Sequence, residues 1–165
     1  MQTHDLRHAY DQFLETAREH VFAPPTAGGW SAELVLAHVV VSDRLIAEAA
    51  GRVAAGMPST FDNLASQSEP YLQAIVAAAG DWDGLVATVR QTAAELIALA
   101  ERMTDEQAAT PIPARVISDG AVVLDAPVPV AGLLRVVADR HLRMHMQQLS
   151  ELAPDGAVLE HASSA

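Results

Sequence analysis

Cysteine is absent from the 165-residue sequence, which excludes disulfides, thiolate metal ligands and a cysteine nucleophile. A chain without disulfides is compatible with a reducing compartment, and we expect a cytoplasmic location. Aromatic residues make up only 4% of the chain, although 50% of its residues are hydrophobic. Because alanine, valine and leucine fill the apolar positions instead, the composition favours close-packed helices over a β-sandwich.

Positive charge is also scarce, with 10 lysine and arginine residues against 21 aspartate and glutamate residues and a net charge of −11. A chain this acidic is repelled by phosphate backbones, so we expect no nucleic-acid partner. Charged residues such as Asp43, Arg44 and Arg90 interrupt the apolar stretches. None of these stretches reaches the roughly 18 residues of a membrane span, and the polar N-terminus does not resemble a signal peptide.

Apolar residues recur at helical spacing along most of the chain. The predicted helices cover residues 3–21, 32–55, 71–79 continuing as 85–103 after a glycine-containing break, and 130–152, with loops at 56–70 and 104–113. These segments predict an all-α fold, a four-helix bundle. Residues 1–153 are expected to form this one domain, and residues 154–165 a flexible C-terminal tail.

A small β-hairpin is predicted immediately before the last helix. Two β-branched runs within residues 115–124 flank Asp119 and Gly120, and an Asp-Gly pair is typical of a type I′ turn. Pro127 and Pro129 end this insertion.

The second helix is apolar on almost every side. Leu36, Val39 and Val40 cover faces that the main apolar stripe leaves open. Such a helix is either central in the bundle or packed against another subunit, and in the second case the face around Leu36 and Val40 indicates a homodimer.

The last helix carries two histidines, His141 and His145, one helical turn apart. Residues at this spacing lie about 6 Å apart on one helix face. On a helical wheel both fall in the apolar arc, which is defined by Leu134, Ala138, Leu149 and Leu152. We therefore predict that both imidazoles point into the core.

Two further histidines, His4 and His8, share this spacing but lie on the polar face of the first helix, opposite Leu6 and Phe13. We interpret them as surface residues. His38 of the second helix shares a stripe with Val41, and it therefore also faces the interior.

Three inward-facing histidines, His38, His141 and His145, predict a metal site. Three neutral imidazoles with an open fourth position are typical of catalytic zinc, although nickel, iron and copper accept the same ligands. Two alternatives stay open: the histidines are packed in the core of a non-catalytic bundle that binds a small ligand or partner, or the metal serves folding alone.

Two stretches resemble motifs of the DinB/YfiT-like superfamily. The segment from Trp30 and Ser31 to His38 resembles its Trp-Ser-x-x-x-apolar-apolar-x-His signature, and the segment from His141 through His145 resembles its closing His-x-x-x-His helix. The resemblance implies an up-down-down-up four-helix bundle, frequent dimerisation, and a divalent metal, commonly zinc or nickel, on the three histidines.

The activities that this resemblance implies are mainly thiol-dependent. They include S-transferases that use bacillithiol, mycothiol or glutathione, and a mycothiol-dependent maleylpyruvate isomerase with an additional C-terminal domain that we do not recognise here. We therefore expect a metal-dependent enzyme with a small-molecule substrate, which activates a low-molecular-weight thiol as an S-transferase or a water as a hydrolase. The sequence identifies no general acid or base.

Overall fold

The structure is a computed structural model that describes residues 3–18, 21–25, 28–118 and 120–154. This part of the chain is mostly helical. Its α-helices are α1 (His4–Thr16), α2 (Ala32–Ala54), α3 (Glu69–Ala79), α4 (Trp82–Arg102), α5 (Asp105–Ala109), α6 (Val130–Val136) and α7 (Leu142–Leu152). The predicted helical class is confirmed, whereas the up-down-down-up bundle and the domain boundary at residue 153 stay predictions. Among the described residues, no helix is long and apolar enough to cross a membrane.

Helix α2 lies at the centre of the fold. Its N-cap is Ser31, whose hydroxyl accepts a hydrogen bond from the Leu34 amide at 3.4 Å. It packs against α3, α4, α6 and α7. As a result Leu36 and Val40 are fully buried within the chain. Of the two predicted positions for this apolar helix, the structure shows the central one; Leu36 and Val40 form no outer face, and a homodimer stays a prediction.

Helix α1 has the predicted amphipathic pattern but is shorter than expected. Leu6 and Phe13 are buried, whereas His4 and His8 are exposed. The helix ends at Thr16 instead of continuing to residue 21, and Val21 is 69% exposed. One reason is that the carbonyl of Ala17 accepts a hydrogen bond from the indole of Trp82 at 3.0 Å, which anchors the chain where it leaves the helix.

Two predicted loops contain regular structure. Residues 56–70 include strand β1 (Phe61–Asp62) and a 3₁₀ turn (Leu64–Gln67). Residues 104–113 include α5, which is stabilised by a capping box between Thr104 and Gln107. All three elements are too short to show a periodic apolar pattern.

The predicted hairpin is present and longer than expected. Strands β2 (Pro111–Ser118) and β3 (Ala121–Pro129) pair antiparallel, and β1 adds to β2 in parallel, giving the order β1-β2-β3. Gly120 adopts a φ of +75°, while Asp119 lies outside the described residues. Strand β3 ends at Pro129, as predicted, but it continues through Pro127 because β3 is an edge strand, where a missing amide donor is tolerated.

The last helix is not one regular α-helix. Between α6 and α7 the backbone widens into a π-turn (Val137–His141), in which the amide of Leu142 bonds to the carbonyl of Val137, five residues earlier. Such turns are rare and occur frequently at functional sites. Because His141 ends the turn and His145 follows it, the one-turn separation of the two histidines is preserved.

Candidate metal centre

Three histidines from distant parts of the chain meet in the interior. His38 comes from the middle of α2, His141 from the end of the π-turn and His145 from α7. The Nε2 atom of His141 lies 2.9 Å from that of His38 and 3.1 Å from that of His145. One ring nitrogen from each lies within 4.8 Å of the other two. The three histidines of the predicted metal site therefore lie together, and metal binding by them stays a prediction.

Two of the three rings are oriented by hydrogen bonds at the opposite nitrogen. His38 Nδ1 lies 2.7 Å from the backbone carbonyl of Ser66, and His145 Nδ1 lies 2.6 Å from the amide oxygen of Gln148. A carbonyl oxygen can only accept, so each Nδ1 carries the proton and donates. Each Nε2 then presents an unprotonated lone pair to the centre of the group.

His141 differs from the other two histidines. Its ring is partly exposed, but its Nδ1 atom is buried and has no hydrogen-bond partner. Buried polar atoms are normally paired, so this atom is an exception within the cluster. The acceptors within reach of His141 are the unprotonated Nε2 atoms of His38 and His145, so in the metal-free protein its ring proton is held on Nε2, and metal binding there would require the proton to move to Nδ1.

The surroundings of the rings favour neutral imidazoles. Burial lowers the pKa of His38 below its usual value, although the Ser66 carbonyl partly opposes this shift. Burial, together with the neighbouring His38, lowers the pKa of His145 to about 4. Burial also lowers the pKa of His141 well below 6.5, and the two neighbouring histidines reinforce that shift. Neutral rings keep their lone pairs available to a metal at neutral pH.

The geometry and the donor chemistry fit one divalent metal ion. Tetrahedral zinc with bonds of 2.0–2.1 Å places its nitrogen ligands about 3.3–3.4 Å apart. The observed separations of 2.9 and 3.1 Å would have to widen by only a few tenths of an ångström. A cation between the three nitrogens would take the place of the hydrogen bonds that link His141 Nε2 to His38 and His145.

Two other side chains border the cluster. The Trp30 ring lies 5.0 Å from the His38 ring, so this tryptophan contacts the site in addition to the core. The hydroxyl of Ser42, one helical turn after His38, is buried and lies 3.4 Å from its Nε2 atom. Ser42 therefore places a hydroxyl beside the inward-facing nitrogen of His38.

Sequence reasoning did not find Ser66, Ser42 or Gln148. Ser66 contributes a backbone carbonyl from a segment predicted to be an irregular loop, and a backbone acceptor leaves no trace in residue type. Gln148 does have a signal, because it is the polar residue three positions after His145, on the same helix face.

Comparison with known proteins places these observations in a family. The sequence profile of the DinB superfamily matches residues 2–149. The crystal structure of the mycothiol-dependent maleylpyruvate isomerase superposes with a TM-score of 0.67 at 13% identity, over 88% of this chain and 57% of that chain. This chain thus spans little more than half the length of that protein, and the likeness concerns the fold. The curated protein sequences give no match. Because the profile covers most of the sequence, this chain belongs to the DinB superfamily.

Proposed function

We propose that this protein is a metal-dependent enzyme that holds zinc or nickel on the Nε2 atoms of His38, His141 and His145. The observation that carries the proposal is the meeting of three neutral imidazoles, two of which have their lone pairs directed inward by hydrogen bonds. With three protein ligands, one coordination position is left for a reactant.

The residues around the ion have separable tasks. A bound divalent ion lowers the pKa of a thiol or water, so that it is a nucleophile near neutral pH. The three neutral histidines would hold the ion without adding negative charge, so the metal would keep its strength as a Lewis acid. The indole of Trp30 covers one side of His38, and the Ser42 hydroxyl can hydrogen-bond a polar reactant there.

We favour a low-molecular-weight thiol over water as the activated group. The chain contains no cysteine, so any thiol must come from a cosubstrate. The structural neighbour is itself named as mycothiol-dependent, which supports the same class of cosubstrate here. The proposed activity is thus S-transfer from such a thiol to a small electrophile, within a four-helix, up-down-down-up domain.

The test is a turnover assay with zinc- or nickel-loaded protein. Glutathione, mycothiol and bacillithiol are each offered with monochlorobimane, and p-nitrophenyl acetate without thiol reports hydrolysis. We expect thiol-dependent turnover that His38→Ala abolishes and that the exposed-site control His4→Ala retains. Ester hydrolysis alone would favour the hydrolase, and no turnover in a metal-loaded protein would favour a non-catalytic binding bundle.

A further inference from the structure

Gln148 follows His145 by three residues, and its side chain is partly buried against the ring. We infer that Gln148 is a positioning residue, which holds the His145 ring with Nε2 toward the metal before any metal arrives. The inference rests on the proposed metal site and adds a residue that no ligand motif contains. The Ser66 carbonyl has the matching role for His38.

The hydrogen bond decides which nitrogen of His145 can bind a metal. The amide oxygen of Gln148 lies 2.6 Å from Nδ1, so the ring proton is held there and Nε2 stays unprotonated. His145 is 2% exposed, which leaves no solvent to replace a missing acceptor. Without Gln148, the buried Nδ1–H would be unpaired, and the ring could turn over or move its proton to the nitrogen that must bind.

The position of Gln148 within α7 distinguishes it from the neighbouring glutamine. The preceding residue, Gln147, has the same side chain, but it is exposed and donates to Glu151 at 3.0 Å. Only the second glutamine faces the histidines. Acceptors behind metal-bound histidines typically contribute a factor of about 10 to 100 in metal affinity.

His141 gives an internal contrast. Its Nδ1 atom has no partner, so no acceptor holds the His141 proton at Nδ1 as Gln148 does for His145. Two of the three ligands are therefore oriented by acceptors outside the cluster, whereas the hydrogen-bond partners of His141 are the other two histidines.

The experiment compares Gln148→Ala with the matched control Gln147→Ala. Zinc affinity is measured by competition with a chromophoric chelator, and ¹⁵N NMR of the metal-free protein reports which nitrogen of His145 carries the proton. We expect Gln148→Ala to weaken zinc binding by about 10- to 100-fold, with the Nδ1–H form of His145 no longer dominant. The control should match the wild type in both measurements.

Gln148→Glu distinguishes positioning from simple packing. A carboxylate is a stronger acceptor of nearly the same shape, so this variant should bind zinc at least as tightly as the wild type. If Gln148→Ala binds zinc as tightly as Gln147→Ala does, the inference is wrong while the metal site stands. If the wild type binds no metal, the proposed function fails, and the NMR comparison alone decides whether Gln148 sets the His145 proton.

Discussion

The backbone carbonyl of Ser66 accepts a hydrogen bond from His38 Nδ1 at 2.7 Å, so a 3₁₀ turn outside the helices orients a side chain in the middle of α2. This turn is itself anchored to the sheet. The Asn63 side chain donates to the Ile117 carbonyl at 2.9 Å and accepts from the Ile117 amide at 2.7 Å. The backbone carbonyl of Asn63 accepts a hydrogen bond from the Ser66 hydroxyl at 2.8 Å. The hairpin is thus connected to the histidines through Asn63 and Ser66.

We therefore expect Asn63→Ala to affect both stability and the metal site. Two hydrogen bonds to strand β2 would be lost, at about 1 kcal/mol each, and the turn that carries Ser66 would be less well held. Urea unfolding should show a free energy of unfolding lower by about 2 kcal/mol, and zinc affinity should fall as well.

A suitable control is Gln73→Ala, because Gln73 is exposed and bonds only to the exposed Glu69 among the hydrogen bonds described. Equal stability of the two variants would show that the Asn63 contacts do not anchor the turn.

A buried carboxyl in the core predicts a pH-dependent stability. Asp43 is fully buried, the Tyr10 hydroxyl donates to its Oδ1 at 2.5 Å, and the Thr92 hydroxyl lies 2.9 Å from its Oδ2. Burial raises the pKa of Asp43 from 3.8 to about 7, although both hydroxyls oppose the shift. The Thr92 hydroxyl also lies 3.1 Å from the Val89 carbonyl, so it can donate a hydrogen bond there while accepting one from the protonated carboxyl of Asp43.

Because the folded-state pKa lies above the unfolded one, folding favours the protonated carboxyl. The protonated Asp43 carboxyl contributes fully to the free energy of unfolding below about pH 4. This contribution is lost as the pH rises through about 7, and for a shift of this size the loss is about 4 kcal/mol. Asp43→Asn keeps an acceptor for Tyr10 and a donor for Thr92 without the charge. We expect the stability of the wild type to fall relative to this variant between pH 4 and pH 8.

Urea unfolding at several pH values makes this comparison, with Asp11→Asn on the exposed face of α1 as the control. The same pH dependence in the wild type and in Asp43→Asn would show that Asp43 does not titrate in this range.

Because α2 is central in the fold, we expect alanine substitution to destabilise the protein much more at Leu36 than at Leu64. Leu36 is fully buried and Leu64 is 57% exposed. Leu36→Ala should lower the free energy of unfolding by about 2–5 kcal/mol, because it opens a cavity in the main hydrophobic core. Leu64→Ala should change it by no more than about 0.5 kcal/mol. A small effect at Leu36 would contradict the packing around α2.

The candidate ligands could be predicted from sequence because helical periodicity reports which face a residue occupies. His38, His141 and His145 share faces with apolar residues, while His4 shares its spacing with His8 but lies among polar ones. That the first three meet at one point depends on helix packing, which periodicity does not describe.

Other features left no pattern to interpret. The π-turn is invisible because it leaves the separation of His141 and His145 unchanged. The early end of α1 depends on a contact between Ala17 and Trp82, which are 65 positions apart in the chain. The Ser66 carbonyl is a backbone atom, and any residue in that turn would supply one.

The central claim is that three histidines hold one metal ion, and elemental analysis tests it most directly. Wild type, His141→Ala and the exposed-site control His4→Ala are purified without a histidine tag or chelator and compared. We predict about one zinc or nickel ion per chain in the wild type and in the control, and none in His141→Ala. Equal metal content in the two variants, or no metal in the wild type, would contradict the account.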